Sequence, residues 1–451
     1  MEINNLIHPN LHGSWAGHST ATGLTQLYDT WVEEVEQGNM EGVLLCDQSS
    51  AFDLCDHFLL VEKLKLIGVE EGTATWFWSY LPGRKQSCMV DGHLSAPLEI
   101  PSCGVPQGSI GGPILWLLFT CDQPDVIHDH PILGQSVDRG CISRAHVEGA
   151  DQEQAETVPG QSGEGCGVMV GYVDDGAYSY ANNNPAVLST VLTAKYNKLA
   201  DWMNANKLVI NPDKTHLMVM GKKKHENNRK LVSIMAGEFL IKPSQSEKLL
   251  GGQLHQSLDW KHFIRGNKGS LLDQLSSRIT GLRKVCKNGN FDTKLMVANG
   301  AVMSKLAYLI TLWGGSSDSL LRAVQIQQLT AARLVIGYGC WRWSRRKLLK
   351  RVGWLSVKQL IFYHTVLQAH KTLQTGVPRP LHHSLSEQYP RNTRNAASGQ
   401  IRHGNNFLST STVKYRAMQC YNRVPVSERS GSTATVKKKL KKWIQTHIPI
   451  D

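Results

Sequence analysis

Three aspartates stand where buried strands are expected to end. Asp47 follows the apolar run 43–46, and Asp174 and Asp175 follow the run 168–173 and form a turn signal with Gly176. Carboxylate oxygens are the ligands that Mg²⁺ prefers, and nucleotidyl transfer uses two divalent ions that carboxylates bridge. These acids meet that need if the two strands are neighbours in one sheet. An Asp-Asp pair alone is more often structural, because Asp side chains bond to turn backbone.

Hydrophobic spacing predicts the elements that must hold these acids. Apolar residues recur at helical intervals over 22–37, 58–67 and 187–202, and short apolar runs at 208–210 and 217–220 predict a strand pair. After about residue 265 the spacing is helical, over 271–282 and in a long run over 293–334. The polar stretch 121–167 has no periodicity, so we predict a surface loop insertion there.

The charge is divided unevenly along the chain. Residues 1–200 contain 8 Lys and Arg against 25 Asp and Glu, whereas residues 201–451 contain 41 against 12. A basic half of this size is typical of a surface that binds polyanions, because Lys and Arg release the counterions condensed on phosphates. An acidic half suits metal binding. Both halves could instead be ordinary solvated surfaces.

Length and composition exclude several classes of protein. A chain of 451 residues, 41% of them hydrophobic, is expected to form two or three compact units. The first residues lack the basic start and apolar core of a signal peptide, and no apolar run reaches the length of a membrane span. The ten cysteines are scattered, without zinc-ligand spacing or the density of a disulfide scaffold. We therefore predict an intracellular protein with reduced thiols and no membrane partner.

Two segments with the aspartates resemble a known family. Residues 46–57 (CDQSSAFDLCDH) look like motif A of non-LTR (LINE-type) reverse transcriptases, and residues 171–175 (GYVDD) resemble motif C. The resemblance implies that Asp47, Asp174 and Asp175 are catalytic and bind two Mg²⁺ ions, for which Mn²⁺ could substitute. It also implies that Phe52 lies against the sugar of the incoming nucleotide and excludes a ribose 2′-OH. The alternative is that Phe52 is a core residue.

Three further segments follow in the order of the family. Residues 104–109 (GVPQGS) are similar to motif B, which implies that Gln107 and Gly108 touch the nascent base pair. Residues 208–215 resemble motif D, which implies that Lys214 contacts the triphosphate or assists the leaving pyrophosphate, unless it is only an exposed structural lysine. Residues 249–254 look like the hairpin that grips the primer end. The primer contacts implied there are Leu250, Gly251 and Gly252.

The resemblance also implies a fold and a domain order. We expect an α+β polymerase palm, an antiparallel sheet with packed helices, with partial fingers over 1–265 and the loop insertion at 121–167. A helical thumb-like domain over 266–385 and a basic C-terminal extension over 386–451 should follow. The implied partners are an RNA template, a DNA primer and deoxynucleoside triphosphates. By the same resemblance we expect a truncated element that lacks the endonuclease domain of the family. The sequence does not fix the oligomeric state.

The C-terminal half contains a basic and aromatic cluster at 341–347 (WRWSRRK) and a lysine run at 437–442. Cations beside aromatic rings suit nucleic acid, because the cations contact phosphates and the rings stack on bases. We predict backbone contacts for Arg342, Arg345, Arg346 and Lys347. Both segments could equally be solvated helix faces.

The chain departs from the family in its fingers segment. The family places an arginine soon after His-Gly, but Ser14 and Trp15 stand there, and the first Lys or Arg is Lys63. The triphosphate would then depend on cations supplied elsewhere in the acidic half or in motif D, namely by Lys65, Arg84, Lys85 or Lys214.

The motifs make an RNA-directed DNA polymerase the first hypothesis. The alternative is a non-catalytic nucleic-acid-binding relic that retains the palm fold, and a viral type of RNA polymerase is a third reading that Phe52 argues against.

Overall fold

The structure, a computed structural model, describes residues 6–48, 51–127, 167–266, 268–386 and 412–450. The chain divides into two compact units. The first, here called the sheet unit, comprises Met1–Gly23 and Gly38–Ser244, and the second, the helical unit, comprises Leu24–Gln37 and Gln245–Asp451. Among the described residues, none of the helices has the length and apolar character that a membrane span requires.

A five-stranded sheet organises the sheet unit. Its strands are β1 (Met40–Asp47), β6 (Met169–Tyr172), β7 (Asp175–Asn182), β8 (His216–Met220) and β11 (Pro243–Ser244), in the order β11-β8-β1-β7-β6. The β1 strand pairs antiparallel with β7 and β8, and β6 pairs antiparallel with β7, whereas β11 runs parallel to β8. The sequence MEGVLLCD is buried up to its last residue because β1 is the central strand.

Helices and short strands complete the sheet unit. The helices are α2 (Ala51–Leu54), α3 (His57–Leu66), α4 (Glu71–Tyr80), α5 (Gly111–Phe119), α6 (Gln123–Ile127), α7 (Pro185–Ala205) and α8 (Glu226–Leu231). The short strands are β2 (Lys85–Gln86), β3 (Met89–Val90), β4 (His93–Leu94), β5 (Leu98–Glu99), β9 (Ile234–Ala236) and β10 (Phe239–Ile241). One core joins the sheet to α3, α5 and α7 through buried residues such as Leu44, Leu60, Phe119 and Leu192.

Within its described residues, the helical unit has one β-hairpin, formed by β12 (Ser246–Leu249) and β13 (Gly252–His255), and its other elements are helices. Its helices are α1 (Thr20–Gln37), of which the part from Leu24 belongs to this unit, α9 (Lys261–Ile264), α10 (Leu271–Val285), α11 (Phe291–Ala298), α12 (Ser304–Ala307), α13 (Ile310–Trp313), α14 (Asp318–Ile336), α15 (Arg345–Val352), α16 (Val357–Thr375), α17 (Arg379–Ser386), α18 (Val413–Arg423), α19 (Val426–Arg429) and α20 (Thr433–His447).

The predicted α+β class is confirmed, with helices over each of the first three predicted segments and a mainly helical second half. Two predictions of elements are wrong. Residues 208–210 form no strand, since only an isolated bridge joins Ile210 to Gln48. The helical run over 293–334 is not continuous, because a π-helical turn at Asn299–Met303 and breaks near Leu309 and Gly314 divide it.

The predicted loop at 121–167 begins with helix α6, so its first residues are not irregular, and residues 128–166 lie outside the described ranges. The division between units at Ser244 and Gln245 also differs from the predicted palm boundary at 265. The predicted domains of 1–265, 266–385 and 386–451 remain predictions.

A buried carboxylate of α1 caps the first turn of helix α18. Asp29 of α1 accepts hydrogen bonds from the backbone N–H groups of Val413 (2.6 Å) and Lys414 (2.9 Å), the first residues of α18. These donors have no partner within their own helix, so the carboxylate caps it. Burial raises the pKa of Asp29 to about 6, although both donors and the nearby Lys414 and Arg416 act against the increase. Because α1 and α18 lie far apart in sequence, this cap is a long-range tether.

We expect the free energy of unfolding to depend on pH through Asp29. Its folded pKa of about 6 exceeds the ordinary value of 3.8, so its contribution is fully present below about pH 4 and is lost as pH rises through about 6. The Asp29→Asn variant, which cannot titrate, should lose less stability over that interval. Urea unfolding of both proteins from pH 4 to 7, with hydrogen exchange read at 413–423, measures the difference. Identical pH slopes would contradict the assignment.

Candidate active site

Two of the predicted aspartates face each other across the sheet. In the antiparallel pairing of β1 with β7, Asp47 is the register partner of Asp175. Directly opposed residues in such a pair project from the same face with Cβ atoms about 4.5–5.5 Å apart. Two carboxylates at that separation repel each other unless a cation lies between or beside them. The strand register therefore creates a site that requires positive charge.

The third aspartate lies in the turn between β6 and β7. Tyr172 pairs with Asp175, so the turn consists of Val173 and Asp174 alone. Val173 has a φ of 59°, which is rare for a β-branched residue and indicates stored strain. The Asp174 carbonyl accepts a hydrogen bond from the Gln48 N–H (2.9 Å), which ties the turn to the residue after Asp47. Asp174, whose side chain is exposed, therefore directly precedes Asp175 and is hydrogen-bonded through its backbone to the residue after Asp47.

Surrounding residues hold the strained turn in place. The indole N–H of Trp116, on α5, donates to the carbonyl of Val173 (2.9 Å). On the other side, a Cβ at Gly13 would lie 2.8 Å from the Val173 backbone nitrogen, so only glycine allows this approach. The segment before Gly13 pairs with β6, since the His12 N–H donates to the Gly171 carbonyl (2.7 Å). Trp116 was not predicted from the sequence.

Lys214 supplies the positive charge. Its Nζ lies 3.1 Å from Oδ2 of Asp47. The lysine belongs to a 3₁₀ turn, Pro212–Lys214, which begins where the Asn211 side chain accepts a hydrogen bond from the Asp213 N–H (2.9 Å). Strand β8 follows this turn, and its start lies beside the end of β1 because the two strands are antiparallel. Asp47 and Lys214, distant in sequence, are therefore brought together by strand pairing.

The acids fit a divalent metal in donor type and backbone placement, because they offer carboxylate oxygens at adjoining strand ends. As the side chains stand, no three His, Cys, Asp or Glu residues within the described ranges converge closely enough to hold an ion. Lys214 instead neutralises Asp47. A cation that bound Asp47 would therefore have to displace Lys214.

Phe52 is half-buried and packs against Trp116, with ring centroids 5.8 Å apart. Its carbonyl accepts a hydrogen bond from the N–H of Val105 (2.8 Å), which joins α2 to the segment 104–109. Gln107 donates from Nε2 to Oδ1 of Asp53 (2.9 Å), the residue after Phe52. Phe52 and Gln107 are therefore held on one local framework, and Gly108 follows Gln107 in an exposed position with a φ of 80°.

The Gly104 carbonyl anchors this framework. It accepts hydrogen bonds from Nη2 of Arg84 (2.6 Å) and Nε2 of His57 (2.8 Å), which fixes the histidine tautomer. Burial lowers the pKa of His57, which favours its neutral form. A Cβ at Gly104 would lie 3.1 Å from the Asp53 carbonyl, and the φ there is 90°, so glycine is required. The sequence did not indicate this role for His57.

The cations expected to replace the missing arginine have different partners. Lys65 pairs with Glu62 (2.9 Å), Lys85 pairs with Glu99 (3.3 Å) and Arg84 bonds the Gly104 carbonyl. Lys214 is the one among these four that pairs with a predicted catalytic aspartate. At the predicted fingers position, Trp15 stacks on His18 with ring centroids 4.2 Å apart.

The remaining predicted residues belong to the helical unit. Leu250 and Gly251, each with positive φ, form the turn between β12 and β13, and Gly252 begins β13. The predicted hairpin at 249–254 is therefore present. Arg342 lies in the turn before α15, while Arg345, Arg346 and Lys347 form the first turn of that helix, and all four are exposed.

Comparison with known proteins gives consistent matches. The model of the family described as reverse transcriptase (RNA-dependent DNA polymerase) matches residues 1–254. The probable RNA-directed DNA polymerase from transposon BS of Drosophila melanogaster is 24% identical over 325 residues, which cover 71% of this chain and 31% of that protein. The corresponding protein from the transposon X-element of the same species is 23% identical over 386 residues, 82% of this chain and 37% of that protein.

A third relative, the RNA-directed DNA polymerase from the mobile element jockey of Drosophila funebris, is 23% identical over 323 residues, 71% of this chain and 31% of that protein. The chain spans about a third of the length of these curated relatives. Among solved structures, telomerase from Candida albicans in complex with a fragment of telomeric RNA matches at 13% identity and a TM-score of 0.31, over 80% of this chain and 50% of that one. The chain therefore belongs to the reverse transcriptase family, and its relatives are enzymes of non-LTR retrotransposons, as the resemblance of its motifs predicted.

Proposed function

We propose that this chain is an RNA-directed DNA polymerase that extends a DNA primer along an RNA template with deoxynucleoside triphosphates. The observation that carries the proposal is the opposition of Asp47 and Asp175 at paired strand ends, with Asp174 in the adjoining turn. Opposed carboxylates cost electrostatic free energy in a folded protein, and binding of divalent cations offsets that cost. The family match over residues 1–254 supports the same reaction.

In this proposal Asp47, Asp174 and Asp175 hold two Mg²⁺ ions, or Mn²⁺ in their place. When bound, the ions activate the primer 3′-hydroxyl and neutralise charge on the triphosphate. The protein holds the acids rigidly, because the Gln48 N–H and the Trp116 indole fix the Val173–Asp174 turn from two sides. Rigid placement matters because misplacement of about 1 Å lowers the rate severely.

The groups around the acids would bind and select the nucleotide. The Phe52 ring would lie against the sugar and exclude a 2′-OH. Gln107 and Gly108 would contact the nascent base pair, where the exposed glycine backbone lets a base approach closely. Lys214 would move from Asp47 to the triphosphate and stabilise the leaving pyrophosphate. In the helical unit, the hairpin residues Leu250, Gly251 and Gly252 would contact the primer.

Loss of Asp174 tests the proposed chemistry. We expect Asp174→Ala to slow extension of a primed RNA template about a hundredfold or more, because a metal-binding carboxylate supplies several kcal/mol of transition-state stabilisation. The matched control is Asp201→Ala, which removes an exposed aspartate of α7. Full activity in Asp174→Ala would refute the site. A wild-type protein that binds RNA but extends nothing with Mg²⁺ or Mn²⁺ would support the relic alternative.

Substitution of Phe52 tests sugar selection. Without the ring, Phe52→Ala should incorporate ribonucleotides at least about tenfold more efficiently relative to deoxynucleotides, since about 1.4 kcal/mol of discrimination corresponds to a factor of ten. Phe52→Tyr retains the ring and should keep the wild-type ratio. Single-nucleotide extension with each triphosphate gives the ratio. An unchanged ratio in an active Phe52→Ala enzyme would remove the argument against the hypothesis of a viral type of RNA polymerase.

Substitution of Lys214 should change metal binding and rate in opposite directions. Lys214→Ala removes the cation that competes for Asp47, so Mn²⁺ should bind about 1.4- to fivefold more tightly, given that partly exposed ion pairs contribute about 0.2–1 kcal/mol. Primer extension should slow because the triphosphate loses a cation. Electron paramagnetic resonance measures free Mn²⁺ directly. Lys207→Ala, which breaks the 2.8 Å pair with Asp56, is the control and should change neither quantity.

A further inference from the structure

A short turn of the helical unit displays two large aromatic side chains to solvent. It follows α14 and begins at Gly337. Tyr338 is fully exposed and Trp341 is 71% exposed, although burial of such rings is normally strongly favourable. Between them, the buried Cys340 anchors the turn, because its thiol donates to the Gly337 carbonyl (3.1 Å). The Trp343 N–H donates to the Cys340 carbonyl (3.0 Å), so the turn has a defined conformation.

The turn continues into a helix with a strongly cationic outer face. In α15, Leu348, Leu349 and Val352 are buried, which leaves the basic residues exposed. Residues 337–353 contain six Lys and Arg and no Asp or Glu. The exposed cations are Arg342, Arg345, Arg346, Lys347, Lys350 and Arg351. We call Tyr338, Trp341 and these six residues the aromatic-cation surface.

The packing within this surface favours a ligand that has both flat rings and negative charge. Lys347 lies over the half-buried Trp343 ring, with Nζ 4.2 Å from the ring centroid. Arg351 stacks similarly on Phe291, at 4.4 Å. Each contact places a cation against a ring of the same unit, and the exposed Tyr338 and Trp341 rings take part in neither contact. An acidic peptide would satisfy the cations but would not stack on two isolated rings.

We propose that the aromatic-cation surface binds single-stranded nucleic acid, with unpaired bases stacked on Tyr338 and Trp341 and backbone phosphates on the arginines and lysines. A duplex offers phosphates but keeps its bases stacked on each other, so it would engage only the cations. This inference rests on the proposed function in one respect, namely that a polymerase copying RNA works on an unpaired template strand. This surface lies outside residues 1–254, to which the family model matches.

Fluorescence anisotropy tests whether the aromatic-cation surface binds single-stranded nucleic acid. The full chain is used in EDTA, so that no result depends on catalysis. The probes are an unstructured RNA of about 20 nucleotides, its DNA counterpart and a duplex of the same length, sufficient for site sizes of about 4–16 nucleotides. We expect Tyr338→Ala with Trp341→Ala to weaken single-strand binding about tenfold or more at every salt concentration, and to leave duplex binding unchanged. Whichever single strand loses more identifies the preferred ligand.

Charge and ring variants separate the two kinds of contact. Arg346→Gln with Lys350→Gln should make the logarithm of the binding constant fall less steeply with the logarithm of salt concentration. The change in slope should correspond to about one to two phosphate contacts, for both single strand and duplex. Tyr338→Phe with Trp341→Phe retains the rings and should restore single-strand affinity. Phe239→Ala removes an exposed ring from the sheet unit and should have no effect on single-strand binding. Circular dichroism checks that each variant is folded.

Three results would overturn the proposal. The first is unchanged single-strand binding in the variant that combines Tyr338→Ala with Trp341→Ala. The second is an equal loss of affinity for single strand and duplex in that variant. The third is a loss of its binding only to anionic vesicles of phosphatidylserine and phosphatidylcholine, which would indicate a membrane-binding surface instead. The Asp174→Ala protein should bind RNA like the wild type. Failure of primer extension with intact, ring-dependent RNA binding would therefore contradict the proposed function and leave this inference standing.

Discussion

The opposition of two like charges at the ends of β1 and β7 is the constraint on which the sheet unit depends. The pairing that aligns Asp47 with Asp175 also buries the rest of β1, so the core and the acids share one register. A slip of one residue would turn every side chain of β1 to the opposite face. The buried core and the placement of the two carboxylates are thus fixed by the same hydrogen bonds, and Lys214 offsets the repulsion.

Much of the fold could be predicted because short-range signals were clear. Helical spacing located α1, α3 and α7, and apolar runs that end in aspartate located β1 and β6. The strand order β11-β8-β1-β7-β6 could not be predicted from spacing, since it depends on pairing between distant segments. The false strand at 208–210 has a similar cause, because Leu208 is buried and Ile210 forms only an isolated bridge with Gln48, whereas Val209 is 58% exposed.

The candidate site was predictable in its acids but not in its supports. Motif wording indicated Asp47, Asp174 and Asp175, whereas the Asp47–Lys214 ion pair and the bonds from Trp116, Arg84 and His57 require the tertiary structure. These supporting residues contact backbone carbonyls, which every residue possesses, so no sequence pattern distinguishes such partners. The absence of an early arginine was visible in the sequence. The identities of the partners of the remaining cations were not.

The pairing of the His12 segment with β6 has a consequence for self-association. Strand β6 is the last in its sheet, and such an edge offers free N–H and C=O groups to any other extended chain. Asn10 and His12 occupy these groups at Gly171, beside the strained Val173 turn. A shortened protein that began at α1 would leave this edge uncovered, and copies could add strand to strand. Residues 10–12 are thus expected to protect this edge from association, which sets a limit on how far the amino terminus can be trimmed.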